Sequence, residues 1–213
     1  MPTLLIRLQA PMQSWGISSH FTSRDTTREP TKSGVIGLIC AALGRPRDAD
    51  ISELAGLKMG VRVDREGILQ KDFHVAQNVL QASGKDTKPT EISDRYYLSD
   101  AVFLVGLEGP RALLAHIQSA LQSPHWTLYL GRKAFPPGKP IWLQDGLQDE
   151  PLLEALKRFP ALVPVSDESV RVVLESDDGE FVRLDVPINF AERRFSSRRI
   201  HMGRIDSPGY QEV

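Results

Sequence analysis

The apolar residues of this chain gather into short runs whose spacing predicts the elements they form. From Gly34 to Leu43 every side is apolar. Val35, Ile36, Leu38, Ile39, Cys40 and Leu43 go right round a period of about 3.6 residues, which predicts a helix buried on all faces. Thr31 stands where an N-cap belongs, Gly44 where a left-handed residue closes the last turn, and Pro46 follows. Lys32 and Ser33 lie at the positive end of the helix dipole, so the stretch Pro30 to Gly44 has the outline of an anion site. The commoner meaning of the same pattern is a capped core helix with a solvated lysine.

Around this helix the chain reads in order. Thr3 to Leu8 is a strand that Ala10-Pro11 ends, and a long polar passage follows in which Trp15, His20 and Phe21 are interleaved with Arg24 and Arg28. After the helix, Asp50 caps a short second one through Leu54 and Leu57. Met59–Val63 and Ile68–Val75 then read as a hairpin about the turn Asp64 to Gly67. Gln77 to Ser93 is polar, contains Gly84 and Pro89, and reads as an excursion. Ala101 to Leu107 is a strong strand. Leu113, Leu114, Ile117 and Leu121 line one face of a helix that stops at Pro124, and Trp126 to Leu130 reads as a further strand. The order β-α-β-β-α-β is that of a ferredoxin-like, RRM-like α+β sheet.

Beyond Leu130 the composition changes. GRKAFPPGKP is a stiff basic loop, Pro151 to Phe159 a short helix, and Val170–Leu174 with Phe181–Val186 a hairpin about Asp177-Asp178-Gly179. The Arg-rich tail ERRFSSRRIHMGR carries Arg193, Arg194, Arg198, Arg199 and Arg204. The expected organisation is a palm over 1–130 and a basic loop with a smaller β-rich region over 131–213.

Charge narrows the chemistry. With 26 Lys and Arg against 27 Asp and Glu, the net charge of −1 argues against coating nucleic acid by bulk potential, so any phosphate partner is met by local patches. Cys40, the single cysteine, leaves no disulfide framework and sits in an apolar helix where a thiol is inert. No run approaches the length of a membrane span and no signal peptide opens the chain, so a cytoplasmic setting is expected. His20, His74, His116, His125 and His201 are too scattered to ligate a metal, and no cofactor is expected. Lys32-Ser33 lacks the glycines of a P-loop.

What stands out is basic side chains beside aromatics or glycines at separated loops: Trp15 with Arg24 and Arg28, Lys32-Ser33, Arg95-Tyr96-Tyr97, and Gly131-Arg132-Lys133. Single-stranded RNA is bound by such a mixture, with bases on rings and phosphates on Lys, Arg and backbone N–H groups. The acidic residues Asp145, Asp149, Glu150, Asp167, Glu168, Glu175 and Glu180 gather elsewhere, which permits a one-sided potential.

The runs LLIRLQAPMQSWG, PTKSGVIGLICAALGR, RYYLSDAVFLVGL and LYLGRKAFPPGKP, in that order, resemble the CasD branch of the Cas-five family, RAMP superfamily, which type I-E CRISPR Cascade complexes carry. The resemblance runs to about Pro140. It implies a ferredoxin-like palm, a thumb at about 77–96 and a C-terminal β region. It also implies a non-catalytic, RNA-binding role as the cap that grips the 5′ handle of the crRNA, next to the Cascade backbone subunit and the large PAM-reading subunit. The matching positions are Gln13, Trp15 and Gly16, then Thr31, Lys32, Ser33 and Gly34, then Arg95 and Tyr97, then Gly131, Arg132 and Lys133. Ala134-Phe135 stands where relatives carry Ser-Cys, so a thiol is not required there. The alternative is a metal-independent endoribonuclease acting on CRISPR precursor RNA, with His74, Tyr97 and Lys133 as acid and base candidates.

Overall fold

The computed structural model describes residues 1–17, 22–81 and 83–210; His20 and Phe21 lie outside the described residues. The chain begins with β1 (Thr3–Gln9), whose Leu4, Ile6 and Leu8 face one side of a sheet and Leu5 the other, and continues through the two-residue strands β2 (Met12–Gln13) and β3 (Ser23–Arg24). The expected core helix is α1 (Lys32–Leu43), capped by the Thr31 hydroxyl, which accepts from Gly34 N, and closed by Gly44 at φ 70°. A short helix α2 (Ser52–Ala55) leads to β4 (Lys58–Arg65), β5 (Ile68–Leu80), β6 (Thr87–Ser99), β7 (Val102–Glu108) and α3 (Arg111–Gln122). The remainder forms β8 (Trp142–Gln148), α4 (Leu152–Arg158), β9 (Ser169–Glu175), β10 (Phe181–Asn189) and β11 (Arg194–Asp206).

The result is a mixed α+β architecture built on one large antiparallel sheet in the order β10-β11-β9-β4-β7-β1-β8. Helices α1 and α3 cover one face, packing Val35, Ile36, Ile39, Leu114 and Ile117 against Leu4, Ile6, Val61, Phe103 and Val105. The smaller α4 covers part of the other face with Leu152, Ala155 and Leu156 against Leu5 and Leu104. Each fully buried aliphatic side chain of this kind contributes about 1.5–3 kcal/mol. Cys40 is buried in α1, and burial pushes its thiol pKa up.

Three pairings differ from the expectation. Met59–Val63 does not form a hairpin with the strand after it. Gly67, at φ 71°, turns the chain out of the large sheet so closely against Ser99 O and Ala101 that a Cβ would fall 2.7 Å from both, and β5 then pairs with β6 along its length. The excursion expected at 77–93 is therefore part of a longer hairpin of two 13-residue strands, which also spans 77–96. Trp126 to Leu130 is not a strand. His125 N and Trp126 N instead donate to Ala42 O and Ala41 O at the end of α1, and β8 pairs with β1 in its place. Finally, β9 and β10 flank the Asp177-Asp178-Gly179 turn but do not pair, because the Arg-rich β11 inserts between them. Since β8 completes the sheet begun by β1 and β9 pairs with β4, one sheet runs across the division expected at 130.

A buried ion pair fastens α4. Arg62 and Asp64 are joined by two hydrogen bonds of 2.6 and 2.9 Å, Arg62 also donates to the carbonyls of Leu156, Phe159 and Pro160, and Asp64 accepts from Leu162 N. Asp64→Ala leaves a fully buried guanidinium without its counter-charge, and the expected cost is about 3–5 kcal/mol. Urea unfolding followed by circular dichroism measures it as a fall in the midpoint.

Candidate nucleic-acid interface

The residues singled out in the sequence separate into a buried group and an exposed group. Lys32 is 1% exposed. Its Nζ donates to both oxygens of Glu175 at 2.9 and 3.0 Å, and burial pushes its pKa down while Glu175 opposes the shift. The amide at the start of α1 is also taken: Lys32 N donates to Asp185 Oδ2 at 2.9 Å. Arg198 joins the two carboxylates, with bonds of 2.7 and 2.9 Å to Asp185 and 3.3 Å to Glu175. The anion that the start of this helix attracts is thus the chain's own Asp185, brought by β10. Thr31 thus caps the helix and Lys32 belongs to an internal ion cluster, so this lysine is neither solvated nor free to offer its charge to a phosphate.

Trp15 is likewise withdrawn from solvent, at 1% exposed, so it offers no face to a base. Its ring lies where a Cβ on Gly34 would come within 2.8 Å, and its Nε1 donates to Gln13 Oε1. Gln13 in turn donates from Nε2 to Leu8 O and Ala101 O. Between them Ser14 donates from N to Leu130 O and from Oγ to Tyr96 O and Asp25 O. This first motif therefore works as a hub that fixes the strand β6, the segment bearing Arg24 and the loop after Leu130 relative to one another.

The exposed group is gathered by that hub. Strand β3 pairs with β6 in parallel, with Arg24 directly beside Arg95. Arg132 reaches across from its loop and donates from Nη2 to Tyr96 O at 2.8 Å and Arg24 O at 3.2 Å. Burial lowers the Arg132 pKa, and the neighbouring Arg95 and Arg24 charges lower it further, outweighing the pull of Asp72 and Asp25. The three arginines crowd like charge together, and Asp72, opposite Arg95, and Asp25 offset part of it. The loop is held by Gly131 at φ 89°, where a Cβ would lie 1.7 Å from Ser14 O, by Leu130 N donating to Phe135 O, and by Phe135 N donating to Arg132 O. The Arg132 guanidinium lies over the Phe135 ring at 5.5 Å, and Tyr97 meets Phe135 at 5.9 Å between centroids. Lys133 is exposed on the same loop.

Arg28 stands apart, exposed at a recess lined by Glu29, Glu66, Arg171 and Arg183. There Glu29 bridges Arg171 and Arg183, and Arg171, held also by Glu66, has its pKa raised. Sequence reasoning missed Phe135, Asp185 and Glu175. An aromatic two residues after a basic pair was a signal for the first. The two carboxylates lie more than 140 residues from Lys32 in the chain, and no local pattern announces them.

The chain is similar to known proteins over nearly its whole length. Residues 3–206 match the family described as CRISPR-associated protein (Cas_Cas5), and the chain belongs to that family. It is 32% identical over 214 residues to the CRISPR system Cascade subunit CasD of Escherichia coli (strain K12), with 92% of each chain covered. Among solved structures it is similar to one described as the crystal structure of a Cas protein, with 46% identity, a TM-score of 0.82, and 97% of this chain and 98% of that one covered. It is also similar to a chain of a CRISPR RNA-guided surveillance complex, with 35% identity, a TM-score of 0.81, and coverage of 97% and 91%.

The buried position of Lys32 changes what its removal does. Lys32→Met leaves Glu175 short of donors and should lower stability by about 1–3 kcal/mol, measured by urea unfolding, while the salt dependence of RNA binding stays at the wild-type slope.

Proposed function

We propose that this chain is a non-catalytic RNA-binding subunit of a type I-E CRISPR Cascade, and that it caps and holds the 5′ handle of the crRNA in cytoplasmic antiviral DNA surveillance. The observation that carries the reading is the convergence of Arg24, Arg95 and Arg132, from three separate segments, on one side of β6. Phosphates of a single strand sit on these guanidinium groups, with Lys133 adding charge and the ring of Tyr97 beside them. Arg28, at its separate recess, lies outside this cluster.

The fold is in keeping with this role. Strands β4, β7, β1 and β8 lie side by side in that order with α1 and α3 on one face, which supports a ferredoxin-like palm. The β5–β6 hairpin is the thumb in this reading, and β9 to β11 form the smaller C-terminal region. The partners are the Cascade backbone subunit and the large PAM-reading subunit, with target DNA reached only through the complex. The curated relative carries the name of a Cascade subunit, and one structural relative belongs to an RNA-guided complex.

The endoribonuclease alternative needs His74, Tyr97 and Lys133 around one 2′-hydroxyl. His74 pairs with Ser93 and Tyr97 with Gln70, so the two lie four residues apart along the hairpin, roughly 13 Å at the usual strand rise. An acid and a base acting on one phosphodiester must each come within hydrogen-bond reach of it, and this separation favours the binding role.

Two measurements test the proposal. Arg24→Gln and Arg95→Gln should each flatten the plot of log affinity for handle RNA against log salt by about 0.7, the share of one single-strand phosphate. Unchanged slopes in both variants refute the placement. Purified protein incubated with repeat RNA in EDTA should leave it intact, and a discrete product would instead establish the nuclease.

A further inference from the structure

Trp15 is buried and Tyr97 is only partly exposed, with Phe135 at 5.9 Å from its ring, so a fully presented ring for a base must come from elsewhere. The large exposed aromatics among the described residues are Phe73, Trp126, Tyr129, Phe181 and Tyr210. Phe73 is on the hairpin opposite Asp94, one position along from the Asp72–Arg95 pair, so the alternation of strand side chains sends it to the other face from Arg95. Phe181 is on β10 at the far edge of the large sheet, and Tyr210 bridges to Ala161. Tyr129 and Trp126 remain.

Tyr129 is 38% exposed and stands immediately before Leu130, which is fully buried. Leu130 is pinned on both sides, by Ser14 N donating to its carbonyl at 3.1 Å and by its own N donating to Phe135 O at 2.8 Å, while Tyr129 O accepts from Gly131 N. Tyr129 is therefore an exposed ring on an anchored backbone, and ordering it on binding costs little conformational entropy. Arg132 follows it three positions along the chain, so their Cα atoms are at most about 11 Å apart. Trp126, 45% exposed, is tethered by its N to Ala41 O and has His125 edge-on at 5.1 Å.

We infer that Tyr129 is the stacking platform of the RNA site, taking the face of an unpaired base whose phosphate rests on the Arg24–Arg95–Arg132 cluster, with Trp126 the next ring along the strand. This rests on the RNA-binding reading above. Stacking on an aromatic ring tolerates any base, since each presents a π face, so the platform positions the strand without selecting its sequence.

The test uses the full-length protein, the handle RNA and a copy of that RNA carrying abasic residues throughout. Tyr129→Ala should weaken binding of handle RNA roughly 5- to 150-fold, the range expected for loss of one stacked base. Tyr129→Phe, which keeps the ring, should bind as wild type, and all three proteins should bind the abasic copy equally. Wild-type affinity in Tyr129→Ala, with Arg24→Gln and Arg95→Gln still weakened, overturns the platform and leaves the RNA reading standing. Equal losses of Tyr129→Ala on both RNAs assign the residue to loop structure and overturn it too. Failure of the wild-type protein to bind handle RNA removes the RNA reading and the platform together.

Discussion

The cluster Lys32–Glu175–Arg198–Asp185 is the interaction on which the arrangement of this protein depends. It joins the start of α1, from the first third of the chain, to β9, β10 and β11 from the last. Glu175 also accepts from Met59 N, so β4 is drawn in as well. Burying this many charges is tolerable because each is paired and hydrogen-bonded, and among the described residues no buried side-chain donor or acceptor lacks a partner. What such a cluster supplies is register: an apolar contact tolerates sliding by a residue, whereas a guanidinium bonded to two carboxylates does not.

A second constraint acts through Gln13, Ser14 and Trp15, whose ring packs on Gly34 in the first turn of α1. These residues resemble binding residues in type but act as a scaffold, tying β6, the segment around Arg24 and the loop after Leu130 into one unit. The charges that face outward are held by this frame and not by each other. Arg24, Arg95 and Arg132 repel, and the hydrogen bonds from Arg132 to two backbone carbonyls keep the group together in spite of it. Positive charge held in place before the ligand arrives is worth more to an anion than charge on free side chains.

Local elements were legible and distant pairings were not. The capped helix from Lys32 to Leu43, the amphipathic α3 and the strands β1 and β7 each carry their period and their boundaries in a few adjacent residues. The two misplaced hairpins failed for one reason. A turn sequence such as Asp64 to Gly67 or Asp177 to Gly179 reports that the chain bends, but not which strand lies alongside afterwards, and in both places a later segment takes that position. The site divided similarly. Arg24, Arg95 and Arg132 were recognisable as basic residues in loops or at strand ends, and they converge. Lys32 and Trp15 were equally recognisable by type, but their burial is decided by Asp185, Glu175 and Gly34, and type alone does not reveal it.

The insertion of β11 between β9 and β10 bears on the order in which the molecule assembles. Among the described residues, strand β10 has no neighbour in the sheet other than β11, and β11 reaches the central strands through β9. Asp185, the carboxylate that receives the first amide of α1, rides on β10. The first amide of α1 therefore finds its carboxylate only when the outermost strand of this edge is docked, and its protection from hydrogen exchange reports the integrity of the β9–β11–β10 edge.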